Sequence, residues 1–249
     1  MAVLNIIEIK NLSKKFDDHV VLNNVSLDVE AGENLVVFGR SGSGKSVLLK
    51  CTIGLLSPDE GKIFIKGKNI LSLTKKELNK IRKHIGFLFQ SAALYDSMSV
   101  RDNLAFPLIK QKLIPADKIE DKIHNTLAMV SLEEAIDKMP SELSGGMRKR
   151  IGLARAIITD PEIMFYDEPT TGLDPISSKE ISELIITLQK KLNMTSIVVT
   201  HDLICAKIIA DRAIFLRNAK VAYEGTLEEL VKSNDPFLKN FFSTELINT

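Results

Sequence analysis

The chain has 249 residues, 45% of them hydrophobic, and its 33 Lys+Arg against 32 Asp+Glu leave a formal net charge of +1. That length suits one large domain, or a domain with a subdomain, around a buried core. The charge balance argues against a dedicated nucleic-acid binder, which gathers a basic excess on one face, and no apolar run approaches the ~18 residues that a membrane-crossing helix needs.

The start, Met-Ala-Val-Leu-Asn-Ile-Ile-Glu, lacks the basic region and long apolar stretch of a secretory leader. A soluble chain is therefore expected, one that reaches a membrane only by binding another subunit. Ile6-Ile7-Glu8-Ile9-Lys10 is an apolar run of strand length, and Val25 to Val29 alternates with period two, as a half-buried antiparallel strand does. Lys62 to Ile65, bracketed by Glu60-Gly61 and Lys66-Gly67, completes a small N-terminal antiparallel β subdomain.

Leu35 to Phe38 is different, a continuous apolar strand followed by a Gly-rich turn and a helix predicted from about Lys45 to Leu56. Ile85–Phe89, Ile163–Tyr166 and Ile197–Thr200 are similar strands, each ending at a polar residue: Gln90, Asp167 and His201. Such strands separated by helices predict a parallel sheet buried on both faces, an α/β core whose ligand sits at the carboxyl ends of the strands. Gln90, Asp167-Glu168 and His201 are thus candidates for one site with the Gly-rich turn. From Ser91 to about Ser141 the pattern becomes amphipathic and helical, with Ile119, Ile123, Leu127 and Val130 at helical spacing, and Pro140 closes this inserted helical subdomain. Strand pieces return at Ala213–Leu216 and Val221–Glu224. Cys51 and Cys205, far apart in apolar, helix-like surroundings, read as buried reduced thiols.

Three segments carry chemistry. Gly39-Arg40-Ser41-Gly42-Ser43-Gly44-Lys45-Ser46 fits G-x-x-x-x-G-K-[ST] directly after an apolar strand, the setting that makes this pattern a phosphate cradle. The glycines allow a tight turn whose N–H groups face phosphate oxygens, and the following helix adds its dipole. Lys45 is expected to reach the β- and γ-phosphates and Ser46 to ligate Mg²⁺. Asp167-Glu168 ends its strand with two acids, one to hold Mg²⁺ beside Ser46, the other to act as general base on water; a solvated turn is the alternative. Leu143-Ser144-Gly145-Gly146-Met147 opens a helix and is a second anion-binding N-terminus. One site does not need two cradles from one chain, whereas a head-to-tail pair of copies does. The alternative for Ser144 is a simple helix cap.

Together these segments resemble the nucleotide-binding subunits of ABC transporters over nearly the whole chain. The resemblance implies a P-loop NTPase fold with a RecA-like parallel sheet, and a single ABC ATPase domain over residues 1–249. Its ATP-binding core with the β subdomain would cover about 1–90 and 160–249, and its helical signature subdomain about 91–159. Gly39–Ser46 resembles the Walker A motif, Ile163–Glu168 the Walker B motif with Glu168 as catalytic base, and Leu143–Met147 the signature. Ser144, Gly145 and Gly146 would then contact ATP on the partner copy. The resemblance makes Gln90 the Q-loop glutamine near Mg²⁺, Thr171–Asp174 the D-loop and His201 the histidine on the γ-phosphate. Phe16 stands where the family places an aromatic under adenine; its alternative is a core position in the β subdomain. Met147 departs from the family's usual Gln.

Met139–Met147, Leu88–Tyr95, Asn103–Leu108 and Ser233–Phe237 further resemble the ATPase of Mla/MCE-type lipid transporters. That implies ATP and Mg²⁺ as cofactors, and a second copy, membrane permeases, an MCE-domain protein and in some systems a STAS-domain regulator as partners. The place of work would be the cytoplasmic side of the bacterial inner membrane. An importer ATPase for amino acids, metals or other small solutes shares this engine and is the main alternative. A soluble ABC ATPase acting on DNA or ribosomes normally carries a coiled-coil insert or a duplicated domain, and a P-loop kinase lacks the Ser-Gly-Gly segment.

Overall fold

The computed structural model describes residues 5–247, with side chains through Ser243; Met1–Leu4, on which part of the leader argument rests, lie outside this range. The chain opens with a hairpin, β1 (Asn5–Phe16) and β2 (His19–Glu30). β1 runs past the expected Ile6–Lys10 because Leu12 is still fully buried and Phe16 still pairs with His19. β3 (Asn34–Phe38) then leads through the glycine-rich turn into α1 (Lys45–Thr52). This helix stops short of the predicted Leu56. Gly54 takes φ +70, and the N–H groups of Leu55 and Leu56 fold back onto the Lys50 carbonyl, a common way to satisfy the last carbonyls of a helix.

β4 (Glu60–Ile65) and β5 (Lys68–Asn69) complete a four-stranded antiparallel sheet in the order β2-β1-β4-β5. α2 (Lys75–Arg82) begins with a Thr74–Glu77 capping box and delivers the chain to β6 (Ile85–Leu88). Helices follow: α3 (Val100–Gln111), α4 (Ile119–Met129) and α5 (Gly145–Ile157). No strand occurs among residues 91–159, and Ile123, Leu127 and Val130 are buried at the predicted helical spacing. The remaining elements are β7 (Ile163–Asp167), α6 (Pro175–Leu192), β8 (Thr195–Val199), α7 (Leu203–Ile209), β9 (Arg212–Arg217), β10 (Lys220–Gly225), α8 (Leu227–Lys232) and α9 (Pro236–Ile247).

The second sheet has the order β10-β9-β3-β8-β7-β6. β9, β3, β8, β7 and β6 are parallel and β10 is antiparallel at the edge. Its strands read as unbroken apolar runs because each face meets a different core. Val36, Phe38, Met164, Tyr166, Val198 and Phe215 pack with the helical segments on one side. Leu35, Val37, Phe165, Ile197, Val199 and Ile214 pack with α1 and the antiparallel sheet on the other. Successive side chains point to opposite faces, so every residue of the central strands β3, β7 and β8 is buried. Cys51 and Cys205 are free and buried as expected, and burial pushes their thiols up to about 11 and about 12. No helix among the described residues is long and apolar enough to cross a membrane.

Candidate functional site

The turn between β3 and α1 closes through a hydrogen bond from the Ser43 N–H to the Arg40 carbonyl, 3.0 Å. Two positions require glycine. At Gly39 a Cβ would stand 2.8 Å from the Leu216 carbonyl oxygen; Gly44 has φ +98, and a Cβ there would meet the Val21 carbonyl at 2.7 Å. No acceptor within the described residues is met by the N–H groups of Gly42, Gly44, Lys45 and Ser46. The buried Ser43 hydroxyl also has no hydrogen-bond partner among the described residues. A turn with four spare main-chain donors and an orphan hydroxyl at a helix start fits a polyphosphate.

Lys45 is buried, and its Nζ donates to the carbonyls of Gly39 (2.7 Å) and Arg40 (3.3 Å) while standing 3.7 Å from Glu168 Oε1. Next to it the Ser46 hydroxyl donates to Asp167 Oδ1 at 2.8 Å, joining α1 to the end of β7. One hydroxyl and one carboxylate suit Mg²⁺, which takes few protein ligands and shares phosphate oxygens and water. The described residues contain no cluster of three or more His, Cys, Asp and Glu at metal-binding spacing; a Mg²⁺ held by Ser46 and Asp167 would neutralise phosphate charge.

Glu168 follows β7 with its backbone in the left-handed region, φ 52. An acidic side chain there signals local strain held by its surroundings. Its N–H donates to the Val199 carbonyl at 2.9 Å. Its Oε2 lies 2.8 Å from His201 Nδ1, at the end of β8, and accepts from the Thr171 hydroxyl at 3.3 Å. Burial pushes the Glu168 carboxyl up, but the His201 bond and charge, the Lys45 charge and Thr171 together hold it below the usual glutamate range. An ionised, oriented carboxylate beside a phosphate cradle is what a general base for water attack requires.

Three of the predicted strand-end residues and the turn thus converge through side chains: Lys45, Ser46, Asp167, Glu168 and His201 form one connected set. Gln90 joins it differently. Its side chain is exposed, and its main-chain carbonyl accepts from Lys149 Nζ at 2.6 Å. Phe16 is 44% exposed at the end of β1, with Lys14 Nζ 5.3 Å from its ring, so it is no core residue of the antiparallel sheet. Arg40, Ser41 and Gly42 lie on the exposed rim of the turn, where Arg40 sits 6.0 Å from the Phe237 ring of α9.

Ser144 is an N-cap: its Oγ accepts from the Met147 N–H at 3.2 Å. Met147 itself packs partly buried against the helical core. No hydrogen bond or ion pair among the described residues joins Ser144, Gly145 or Gly146 to the Gly39–Ser46 turn. Nor does internal packing demand these glycines. A Cβ at Gly145 would meet only Leu173 at 3.7 Å, and one at Gly146 only Ser177 at 3.8 Å. Asp174 caps α6, accepting from the Ser177 N–H and hydroxyl, bonds that hold its carboxyl below the usual aspartate range.

Three participants were not among the sequence candidates. Lys149 bridges to Gln90 and Glu168. Thr170 donates to Asp202 at 2.9 Å, and Asp202 caps α7 just after His201. Their neighbours in sequence gave the only signal. A cleft of about 450 Å³ opens beside this cluster, lined by Thr170, Gly172, Leu173, His201, Asp202 and Ile204. Cavities of about 550 and 740 Å³ lie at the opposite ends of the strands, around His84, Glu162 and Asn193. They are larger but gather none of the residues above.

The family model described as ABC transporter matches residues 22–171. The intermembrane phospholipid transport system ATP-binding protein MlaF of Haemophilus influenzae is 44% identical over 97% of this chain and 91% of its own. A probable ribonucleotide transport ATP-binding protein of Mycobacterium leprae is 41% identical over 95% of this chain and 68% of its own. The dimeric structure of a post-hydrolysis state of an ATP-binding cassette, bound to ADP and Pi, superposes with a TM-score of 0.81 at 33% identity, over 89% of this chain and 98% of that one.

Proposed function

The chain belongs to the ABC transporter family and is an ATPase of that family; from that premise we propose that it energises the movement of phospholipid, or another hydrophobic substrate, across or between bacterial envelope membranes through an MCE-type system. The observation that carries the engine is the convergence of Ser46–Asp167 with Lys45–Glu168–His201 at one point. The lipid cargo is supported by the 44% identity to a phospholipid-transport ATP-binding protein over nearly the full length of both chains.

In this reading the Gly39–Ser46 turn and Lys45 hold the phosphates of ATP, and Ser46 with Asp167 holds Mg²⁺. Glu168 orients water and His201 steadies Glu168 and the γ-phosphate. The site is completed by a second copy. Ser144, Gly145 and Gly146 stay apart from the chain's own turn, and the room at both glycines suits close approach of a partner's phosphate. Two glycines in a first helical turn weaken it by about 1 kcal/mol each against Ala, a cost that local packing does not explain. Closure of the pair drives membrane permeases, which dock on the segment after Gln90. An MCE-domain protein, and a STAS-domain regulator where present, complete the assembly, and the chain sits peripherally on the cytoplasmic side of the inner membrane.

The test is reconstitution with permease and MCE-domain chains from the same organism. ATP-dependent movement of fluorescent phospholipid between vesicles, abolished by Glu168→Gln, is expected. ATP-driven uptake of a small polar solute with no lipid movement would overturn the cargo reading in favour of an importer.

A further inference from the structure

Lys149 stands one turn into α5 and is 5% exposed. Its Nζ donates to the main-chain carbonyl of Gln90 at 2.6 Å and of Glu168 at 3.2 Å. One side chain from the helix that Ser144 caps therefore clasps the ends of two neighbouring strands, β6 and β7. An ammonium buried in this way carries a desolvation cost; methionine would fill the space without it. The two carbonyls satisfy two of its three N–H donors, and the carboxylates of Glu168 and Asp167 supply the opposing charge. Burial lowers the proton affinity of Lys149, and those two acids raise it again.

The carbonyls it holds are not interchangeable with others. Gln90 opens the segment that leaves β6 toward the helices. Glu168 bears the water-activating carboxylate on a left-handed backbone, which persists only where its surroundings fix it. Further along α5, Gly152 abuts the same segment so closely that a Cβ would lie 2.7 Å from the Ala92 Cβ, so α5 and the chain after Gln90 are packed against each other as a unit.

We propose that Lys149 is a positioning residue of the ATPase: it fixes the main chain of Glu168 to that of Gln90, so that displacement of α5 or of the segment after Gln90 reaches the catalytic carboxylate as movement of its own backbone. This rests on the ATPase reading above and adds a residue to it.

The test uses the purified full chain as wild type, Lys149→Met, Lys149→Arg and Glu168→Gln, with ATP affinity, kcat, KM and Tm measured on each. Lys149→Met is expected to lower kcat about tenfold or more, about 1.4 kcal/mol in the barrier, with ATP affinity within about twofold of wild type. Lys149→Arg, which keeps charge and donors, should recover most of the lost kcat. If Lys149→Met fails to fold, Lys149→Gln, which retains an N–H donor, carries the same comparison. A kcat within about twofold of wild type overturns the inference. So does a parallel fall of kcat, affinity and Tm that arginine does not relieve, because that marks a mere brace. Equal turnover by wild type and Glu168→Gln would overturn the catalytic reading itself, an outcome separate from either.

Discussion

Replacing Glu168 by Gln removes one negative charge while keeping the shape of the side chain. The amide can still contact His201 and Thr171, so the main change is electrostatic. Lys45 Nζ lies 3.7 Å from the carboxylate, and both side chains are largely buried, 8% and 13% exposed. With an effective dielectric of about 20, their attraction is about 4 kcal/mol. Lys45 keeps its bonds to the Gly39 and Arg40 carbonyls, and the desolvation cost of the carboxylate disappears, so the net loss should be nearer 2 kcal/mol. For a chain of this size that corresponds to a Tm drop of about 4–8 °C without nucleotide. ATP brings its own negative charge to Lys45 and should return that stability, since a ligand of the native state stabilises by mass action. Loss of the general base should lower turnover about 10²–10⁴-fold. The assay is paired: phosphate release, and thermal unfolding with and without ATP-Mg²⁺. Wild-type turnover would refute Glu168 as base. An unchanged Tm without nucleotide would refute the Lys45 pairing.

Ser144→Arg removes the cap bond to Met147 and places a long cation at a position with no hydrogen bond or ion pair to its own Gly39–Ser46 turn among the described residues; each copy should bind ATP normally but neither pair nor hydrolyse, by gel filtration and phosphate release. His201→Ala removes a bond and a charge that keep the Glu168 carboxyl below its usual range. A group with a depressed folded value stabilises the fold above its unfolded value and loses that contribution as pH falls through the folded one. In the variant the acid limb of ATP hydrolysis and the acid loss of stability should therefore both move to higher pH, and an unmoved limb would exclude His201 as the controlling partner. Gly152→Ala gains about 1 kcal/mol of helix propensity but sets a Cβ 2.7 Å from Ala92 and 3.1 Å from Leu88. Overpacking of about 1–3 kcal/mol should prevail, giving net destabilisation in urea unfolding; a stabilised variant would show that the segment after Gln90 yields freely.

Much of this site was legible because its chemistry is written locally. Gly39–Ser46 is contiguous, and its two indispensable glycines announce a turn that no other residue can make. The unbroken apolar runs Leu35–Phe38, Ile163–Tyr166 and Ile197–Thr200 could only belong to a sheet covered on both sides, which placed Asp167, Glu168 and His201 at one edge. Local pattern failed where distant packing decides. The end of α1 depends on a left-handed Gly54, the length of β1 on pairing as far as His19, and the solvent position of Phe16 on the end of that hairpin.

Strand character, the phosphate turn and the rank of polar strand ends follow from the amino-acid order alone, because each is set by neighbours within a few residues. The strand order β10-β9-β3-β8-β7-β6, the meeting of Ser46 with Asp167, the left-handed backbone of Glu168 and the burial of Lys149 between two carbonyls were decided only by the tertiary structure. Those contacts join residues far apart in the chain, and only the packed core makes a buried ammonium or a strained backbone the lowest-energy choice.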